Sequence, residues 1–171
     1  IGFCFDALLG QASKMRYMFG GKAKVPMVVR TMHGAGASAA AQHSGSYYAL
    51  FGSIPGIKVV VPATPYDAKG LLLASIEDDN VVIFSEDKTL YGLKGEVPEE
   101  YYTVPIGKAA VRREGKDLTI VTIGKMLYVA YEVADRLAKD NISVEVIDLR
   151  TVAPWDEETV LNSVKKTGRL I

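Results

Sequence analysis

The sequence predicts an α/β protein: open, mostly parallel sheets with helices on both faces, in two domains that are each incomplete. Three observations carry this. Short runs such as Ile57-Lys58-Val59-Val60-Val61 and Val81-Val82-Ile83-Phe84 are almost continuously apolar, as strands covered on both faces and paired in parallel are. Between them lies a stretch with helical apolar spacing. The strand–helix–strand rhythm then stops after Phe84 and restarts at Leu118, which gives two units in place of one.

Along the chain, residues 3–16 carry apolar side chains at Phe5, Leu8, Leu9, Ala12 and Met15, a helical pattern, and Gly20-Gly21 ends it. Val25-Pro26-Met27-Val28-Val29-Arg30 reads as the first buried strand. Residues 31–46 are small and loop-like, and 47–51 suit a short helix. Ile57 to Val61 is the second strand, closed by Pro62. Thr64 then caps a helix whose first position is Pro65 and which reaches about Asp79. Val81 to Phe84 is the third strand.

The stretch 85–105 breaks the pattern with Gly92, Gly95, Pro98 and Pro105, as a linker between domains does. The divisions are 1–95 for the first domain, 96–107 for the linker and 108–171 for the second domain. In the second, residues 118–122 and 143–148 read as strands, and 126–139 and 156–166 as helices. Ile1 falls inside an apolar helical stretch, and Gly168-Arg169-Leu170-Ile171 reads as a strand beginning. The expectation is therefore that the gene product extends past both ends.

Composition narrows the function classes. Twenty Lys and Arg balance twenty Asp and Glu among 171 residues, so no basic face for nucleic acid or anionic membrane is expected. No apolar run approaches the ~20 residues of a membrane span. A single cysteine, Cys4, cannot form an internal disulfide, and a reducing cytoplasm is the expected setting.

Ligands in open parallel sheets bind beyond the carboxyl ends of strands. The loop after the first strand carries Gly34, Gly36 and both histidines, His33 and His43. Histidine is the usual proton shuttle near neutral pH. It can equally cap local backbone, and spacing alone leaves both roles open for each. Gly34-Ala35-Gly36 lacks the third glycine and the lysine of a phosphate cradle. Two histidines ten apart with one cysteine do not make a zinc site. Asp78, Asp79 and Asn80 at a helix end can offer oxygens to a hard cation, although a solvated helix end is the plainer reading. Ser44 beside His43 does not make a catalytic triad. Glu86, at a strand end, reads as a surface acid.

Several motifs, in order, carry a family resemblance over essentially the whole chain. They are Arg16-Tyr17-Met18-Phe19-Gly20-Gly21, the strand from Val25 to Arg30, Ala40-Ala41-Gln42-His43-Ser44, Pro55-Gly56-Ile57-Lys58-Val59-Val60-Val61-Pro62 and Tyr66-Asp67-Ala68-Lys69-Gly70. Glu145-Val146-Ile147-Asp148-Leu149-Arg150-Thr151 and Pro154 add to them. Together they resemble the beta subunits of thiamine-diphosphate-dependent 2-oxo acid dehydrogenases, with transketolase-like pyrimidine-binding and C-terminal domains. Leu90-Tyr91-Gly92, Gly95-Glu96-Val97-Pro98-Glu99 and Tyr101-Tyr102-Thr103-Val104-Pro105 look most like the acetoin dehydrogenase branch.

The resemblance implies a subunit that cleaves acetoin, or decarboxylates a 2-oxo acid, and passes the acyl group to a lipoyl arm. It implies thiamine diphosphate with Mg²⁺, held mainly by an alpha subunit. It also implies a second beta subunit and a lipoyl-bearing acyltransferase as partners. His43 matches the family's histidine near the reacting carbon, and Gln42 and Ser44 would shape its loop. Met27, Ser75, Asp78 and Asn80 fall on a structural potassium site.

Some features depart from the family pattern. The glutamate that activates the cofactor lies ahead of Ile1, so this chain alone is expected not to bind the cofactor productively. Neither Phe3 nor Phe5 can be assigned to the packing on the pyrimidine. Gly45 stands where Gln is usual, and His33 where relatives carry Tyr or Asn. Pyruvate and branched-chain enzymes are the near alternatives. A single-chain transketolase or deoxyxylulose-phosphate synthase is a further one, and a non-catalytic flavodoxin-like binding module the alternative of another class.

Overall fold

The computed structural model describes residues 2–171. Ile1 lies outside the described residues. The N-terminal segment is helical but not uniform. A 3₁₀ turn (Gly2–Cys4) and a π-helix (Asp6–Ala12) precede α1 (Ser13–Met18). The Ser13 hydroxyl donates back to the Leu9 carbonyl at 2.7 Å, a side-chain bond of the kind that competes with regular helix winding.

Strand β1 runs Val28–His33, later than the apolar run suggests. Pro26 has no N–H for a ladder, and Val25 donates instead to the Asp79 carbonyl at 2.9 Å. The shift takes Thr31, Met32 and His33 into the strand. After α2 (Tyr48–Gly52) come β2 (Ile57–Val60), α3 (Pro65–Ile76) and β3 (Val81–Asp87). The Thr64 hydroxyl accepts the Asp67 N–H at 3.1 Å, the expected cap. β3 continues past Phe84 because Ser85, Glu86 and Asp87 pair in register with Thr31, Met32 and His33.

The second unit contains β4 (Ala110–Arg113), β5 (Leu118–Thr122), α4 (Met126–Ala138), β6 (Val144–Asp148), β7 (Thr151–Ala153) and α5 (Glu157–Thr167). The first sheet has the order β1-β3-β2-β7, with β1, β3 and β2 parallel; the second is β4-β6-β5. The sequence reading missed β4 and β7. Both are short antiparallel edge strands without the apolar run that betrays a buried strand. β7 completes the first sheet from the second half of the chain. Leu170 bridges Thr119 in the parallel sense, in line with the strand-like reading of the last residues.

Helices cover both faces of each sheet. One face of the first sheet packs Phe51, Val59 and Ile83 against Phe5, Leu9 and Ala12; the other packs Val60, Val82 and Phe84 against Leu71 and Leu72 of α3. In the second sheet, Ile120, Val144 and Val146 pack on Leu127, Ala130 and Ala134 of α4. On the side of α5, the Thr119 hydroxyl bonds Ser163 and Thr167 at 2.7 Å each. The connection after β3 folds back over α3. Lys69 donates to the carbonyls of Glu99 and Glu100, Tyr102 stacks on Tyr66 at 4.5 Å, and the Val104 N–H reaches the Gly70 carbonyl at 3.0 Å.

A buried charge cluster joins the halves. Asp67 of α3, fully buried, pairs with Arg112 of β4 and with Arg150 at 3.1 Å, and Arg112 also bonds Asp148 at 3.0 Å. Two buried carboxylates are balanced by two partly exposed guanidiniums, as burial of the carboxylates requires. Among the described residues no helix is long and apolar enough to cross a membrane.

Candidate functional site

β1 and β3 end side by side, with His33 opposite Asp87. This is the carboxyl edge of a parallel sheet, where ligands collect. His33 is 5% exposed. Its Nδ1 lies 2.8 Å from the Ser85 hydroxyl, its Nε2 3.7 Å from Asp87 Oδ2, and Tyr48 meets the ring edge-on at 5.2 Å. Burial pushes the imidazole pKa down. Asp87 pulls it up, Lys125 and Lys88 push it down further, and the result is a lowered value. The ring is therefore neutral at neutral pH.

Ser85, His33 and Asp87 have the composition of a hydrolytic triad but not its geometry. Ser85 is only 2% exposed, so its hydroxyl has no access to a substrate. The Asp87 distance is also beyond a hydrogen bond. Asp87 Oδ1 is already taken by the Thr89 N–H at 2.9 Å and its hydroxyl at 2.6 Å.

His43 stands in the opposite situation. It ends a 3₁₀ turn (Ala41–His43) and is exposed. Among the described residues neither of its ring nitrogens has a hydrogen-bond partner. It lines a cavity of about 430 Å³ with Gln42, Thr31, Met32, Tyr47 and Lys88. The loop is pinned although the ring is free. Lys88 Nζ donates to the His43 carbonyl, the Ser44 hydroxyl to the Ala40 carbonyl at 2.7 Å, and Lys125 Nζ to the Ala35 carbonyl at 2.8 Å. The Gly34 N–H donates to the Gly45 carbonyl at 3.2 Å and closes the loop. Ser38 and Ala40 hold positive φ of 52° and 61°, strain that a pinned loop can sustain.

A larger cavity, about 520 Å³, lies elsewhere, against Arg16, Tyr17, Gly56 and Val81. It contains no histidine or carboxylate, whereas the smaller cavity carries His43. Glu86, expected at the surface, is half-buried and held two-pronged by Arg30, Nε to Oε2 at 3.0 Å and Nη2 to Oε1 at 2.8 Å.

The residues at the expected potassium position are largely engaged. The Met27 carbonyl accepts from the Val82 N–H at 2.9 Å, and the Ser75 carbonyl from Asp78 at 3.4 Å. Burial works to raise the Asp78 pKa, but hydrogen bonds from Lys58 and Asn80 outweigh it and hold the carboxyl below its usual range. Both Asp78 carboxylate oxygens already accept hydrogen bonds, and a cation here would share them with Lys58 and Asn80. Among the described residues no group of three or more His, Cys, Asp or Glu is arranged to hold a metal.

Ser85, Asp87, Lys88 and Lys125 were not singled out from the sequence. Ser85 to Lys88 had been placed in the loop after β3, and only the longer β1–β3 pairing brings them under the histidine loop. Lys125 reaches it from the other half of the chain, which no local pattern shows.

Comparisons with known proteins agree with this architecture. The transketolase pyrimidine-binding domain family matches residues 3–94, and the transketolase C-terminal domain family residues 107–171. The acetoin:2,6-dichlorophenolindophenol oxidoreductase beta subunit of Bacillus subtilis is 58% identical over the full chain, which covers 50% of that relative. Its counterpart in Cupriavidus necator is 57% identical, with 51% of it covered. The pyruvate dehydrogenase E1 beta subunit of Bacillus subtilis is 49% identical over 97% of the chain and 51% of the relative. The chain thus spans about half the length of these curated relatives. A solved split-gene transketolase, described as an inactive beta4 tetramer, matches with a TM-score of 0.72 at 28% identity, over 86% of this chain and 47% of that one.

Proposed function

This chain belongs to the family defined by the transketolase pyrimidine-binding domain, followed here by a transketolase C-terminal domain, and on that premise we propose that it works in the beta subunit of a thiamine-diphosphate-dependent acetoin dehydrogenase. The observation that carries the reading is His43, exposed and unpaired at the carboxyl edge of the first sheet on a loop pinned from both halves. The branch rests on identity: 58% and 57% to acetoin subunits, against 49% to a pyruvate subunit and 47% to a 2-oxoisovalerate subunit. Two consecutive family domains disfavour a non-catalytic flavodoxin-like module.

When bound, thiamine diphosphate supplies addition to a carbonyl and cleavage of the neighbouring C–C bond. Its Mg²⁺ and diphosphate are held mainly by the alpha subunit. The residues of this chain orient and move protons. His43 would take or give a proton at a ring nitrogen beside the carbonyl substrate that such a cofactor would act on. Gln42 shapes the same wall of the cavity, and the backbone bonds of Lys88 and Lys125 fix where the imidazole stands. A potassium ion is assigned to the oxygens of Met27, Ser75, Asp78 and Asn80. The first domain is taken as 1–95, the linker as 96–107 and the second domain as 108–171, although β7 of the latter completes the first sheet. The partners are the alpha subunit, a second beta subunit and a lipoyl-bearing acyltransferase, in the cytoplasm.

The test is to co-express the full-length subunit with its alpha partner and follow dye reduction with thiamine diphosphate. Acetoin, pyruvate and 2-oxoisovalerate are compared side by side. Acetoin is expected to give the highest kcat/KM. Preference for a 2-oxo acid would move the chain to a sister branch, and no turnover of any of the three would remove the reading.

A further inference from the structure

Beneath the loop that carries His43 lies a buried ionisable group for which the proposed reaction has no use. His33 ends β1 and is surrounded on every side. Ser85 and Asp87 face it from β3, Tyr48 from α2, and Lys88 from the turn after β3. From the second half of the chain, the turn before α4 brings Gly124, where a Cβ would stand 3.8 Å from Nε2, and the Lys125 charge.

The same cluster sets where the loop begins and returns. Gly34 follows His33 with φ +95°, and a Cβ there would meet Asp87 Oδ2 at 2.9 Å. The loop therefore leaves β1 too close to that carboxylate for any side chain at this position. The Gly34 N–H then catches the Gly45 carbonyl, two residues past His43. The two cations nearest His33 are the two that grip the loop, Lys88 at the His43 carbonyl and Lys125 at the Ala35 carbonyl.

Protonation of His33 would disturb all three supports. The imidazolium would draw Asp87 Oδ2 in from 3.7 Å toward a charge-assisted contact of ~2.8 Å, away from its packing on Gly34. It would also add a third positive charge to those of Lys88 and Lys125, which already act on the ring, and weaken their hold on the loop. We propose that His33 is a positioning residue for His43, and that protonating it displaces the loop over residues 34–45 and withdraws His43 from its working position.

The activity arm of this inference rests on the dehydrogenase reading; the loop arm does not. The test uses the full-length subunit with its alpha partner, as wild type, His33→Asn and His33→Leu. Asparagine can still bond Ser85 but cannot take up a proton. Hydrogen–deuterium exchange of peptides from 34–45, corrected for intrinsic rates, is followed from about pH 8 to about pH 5. In the wild type the protonated fraction grows roughly tenfold per pH unit above the folded pKa, and loop exchange is expected to rise by the same factor. His33→Asn stays flat. His33→Leu exchanges fast throughout, with kcat for acetoin lower on the order of tenfold to a hundredfold and KM changed less. The acid limb of kcat is steeper in the wild type than in His33→Asn, which keeps only the titration of the proton-transferring group itself.

Equal pH dependence of loop exchange in wild type and His33→Asn would overturn the proposal. If His33→Leu does not assemble, that same comparison decides. Expected exchange without turnover of any substrate would sink the dehydrogenase reading and leave this one standing. Turnover with flat wild-type exchange would do the reverse.

Discussion

His33, the last residue of β1, and His43, in the loop that follows, sit ten residues apart in sequence and in opposite settings. His33 has a partner at Nδ1, a carboxylate near Nε2, an aromatic edge against its ring and 5% exposure. His43 is exposed, its ring without hydrogen-bond partners among the described residues, while its backbone carbonyl is held by Lys88. The difference separates two tasks that one residue type can perform. A ring already satisfied by the fold supports structure; a ring held only through its backbone keeps both nitrogens for chemistry. Substitutions at the two sites should therefore have different consequences.

The largest expected effect is His43→Ala. If His43 moves protons, kcat in the co-expressed enzyme falls by about 10²- to 10⁴-fold. The stability of the subunit changes by no more than ~0.5 kcal/mol, because an exposed side chain is removed. Full activity in this variant would take the chemical role away from His43. Ser85→Ala should show the reverse pattern. It leaves buried Nδ1 of His33 without its 2.8 Å partner and costs about 1–3 kcal/mol in urea unfolding, with a smaller loss of kcat than His43→Ala. A stability loss at His43 larger than at Ser85 would break the comparison.

The pH dependence of stability sharpens it further. In the unfolded chain His33 takes up a proton near its ordinary pKa of 6.5, and in the folded chain at lower pH. Its contribution to stability is thus complete above pH 6.5 and is lost as pH falls through the folded value. Urea midpoints measured from about pH 8 downward should decline below that point in wild type, and less in His33→Asn.

How far the sequence was legible follows from the range of each interaction. The buried parallel strands and the Thr64-capped helix are local patterns, and they were read within a few residues. The strand ends were not, because Pro26 displaces the start of β1 and the polar residues Ser85, Glu86 and Asp87 look like a loop until β1 pairs with them. The edge strands β4 and β7 have no apolar run to mark them. His43 was picked out through its neighbours in a recognisable motif. The surroundings of His33 were hidden, because they are assembled from β3, α2 and the turn before α4, the last some ninety residues away, as is Lys125 from Ala35. The cluster of Asp67, Arg112, Asp148 and Arg150 is hidden for the same reason.

The smallest effect expected is also the most discriminating, since Lys88 bonds one histidine and its charge acts on the other. Its ammonium donates to the His43 carbonyl from an exposed position, and bonds of that kind contribute ~0–1 kcal/mol. Lys88→Met should therefore leave the urea midpoint nearly unchanged. The same charge helps keep the His33 pKa down, so its removal lets that value rise. Protonation then begins at higher pH, and the acid limb of kcat moves toward neutrality. Lys88→Arg keeps the charge and should hold the limb in place. A limb that shifts in Lys88→Met but not in Lys88→Arg, at constant stability, ties the buried histidine to the exposed one through electrostatics. A limb that stays fixed in both variants means that the two histidines act independently.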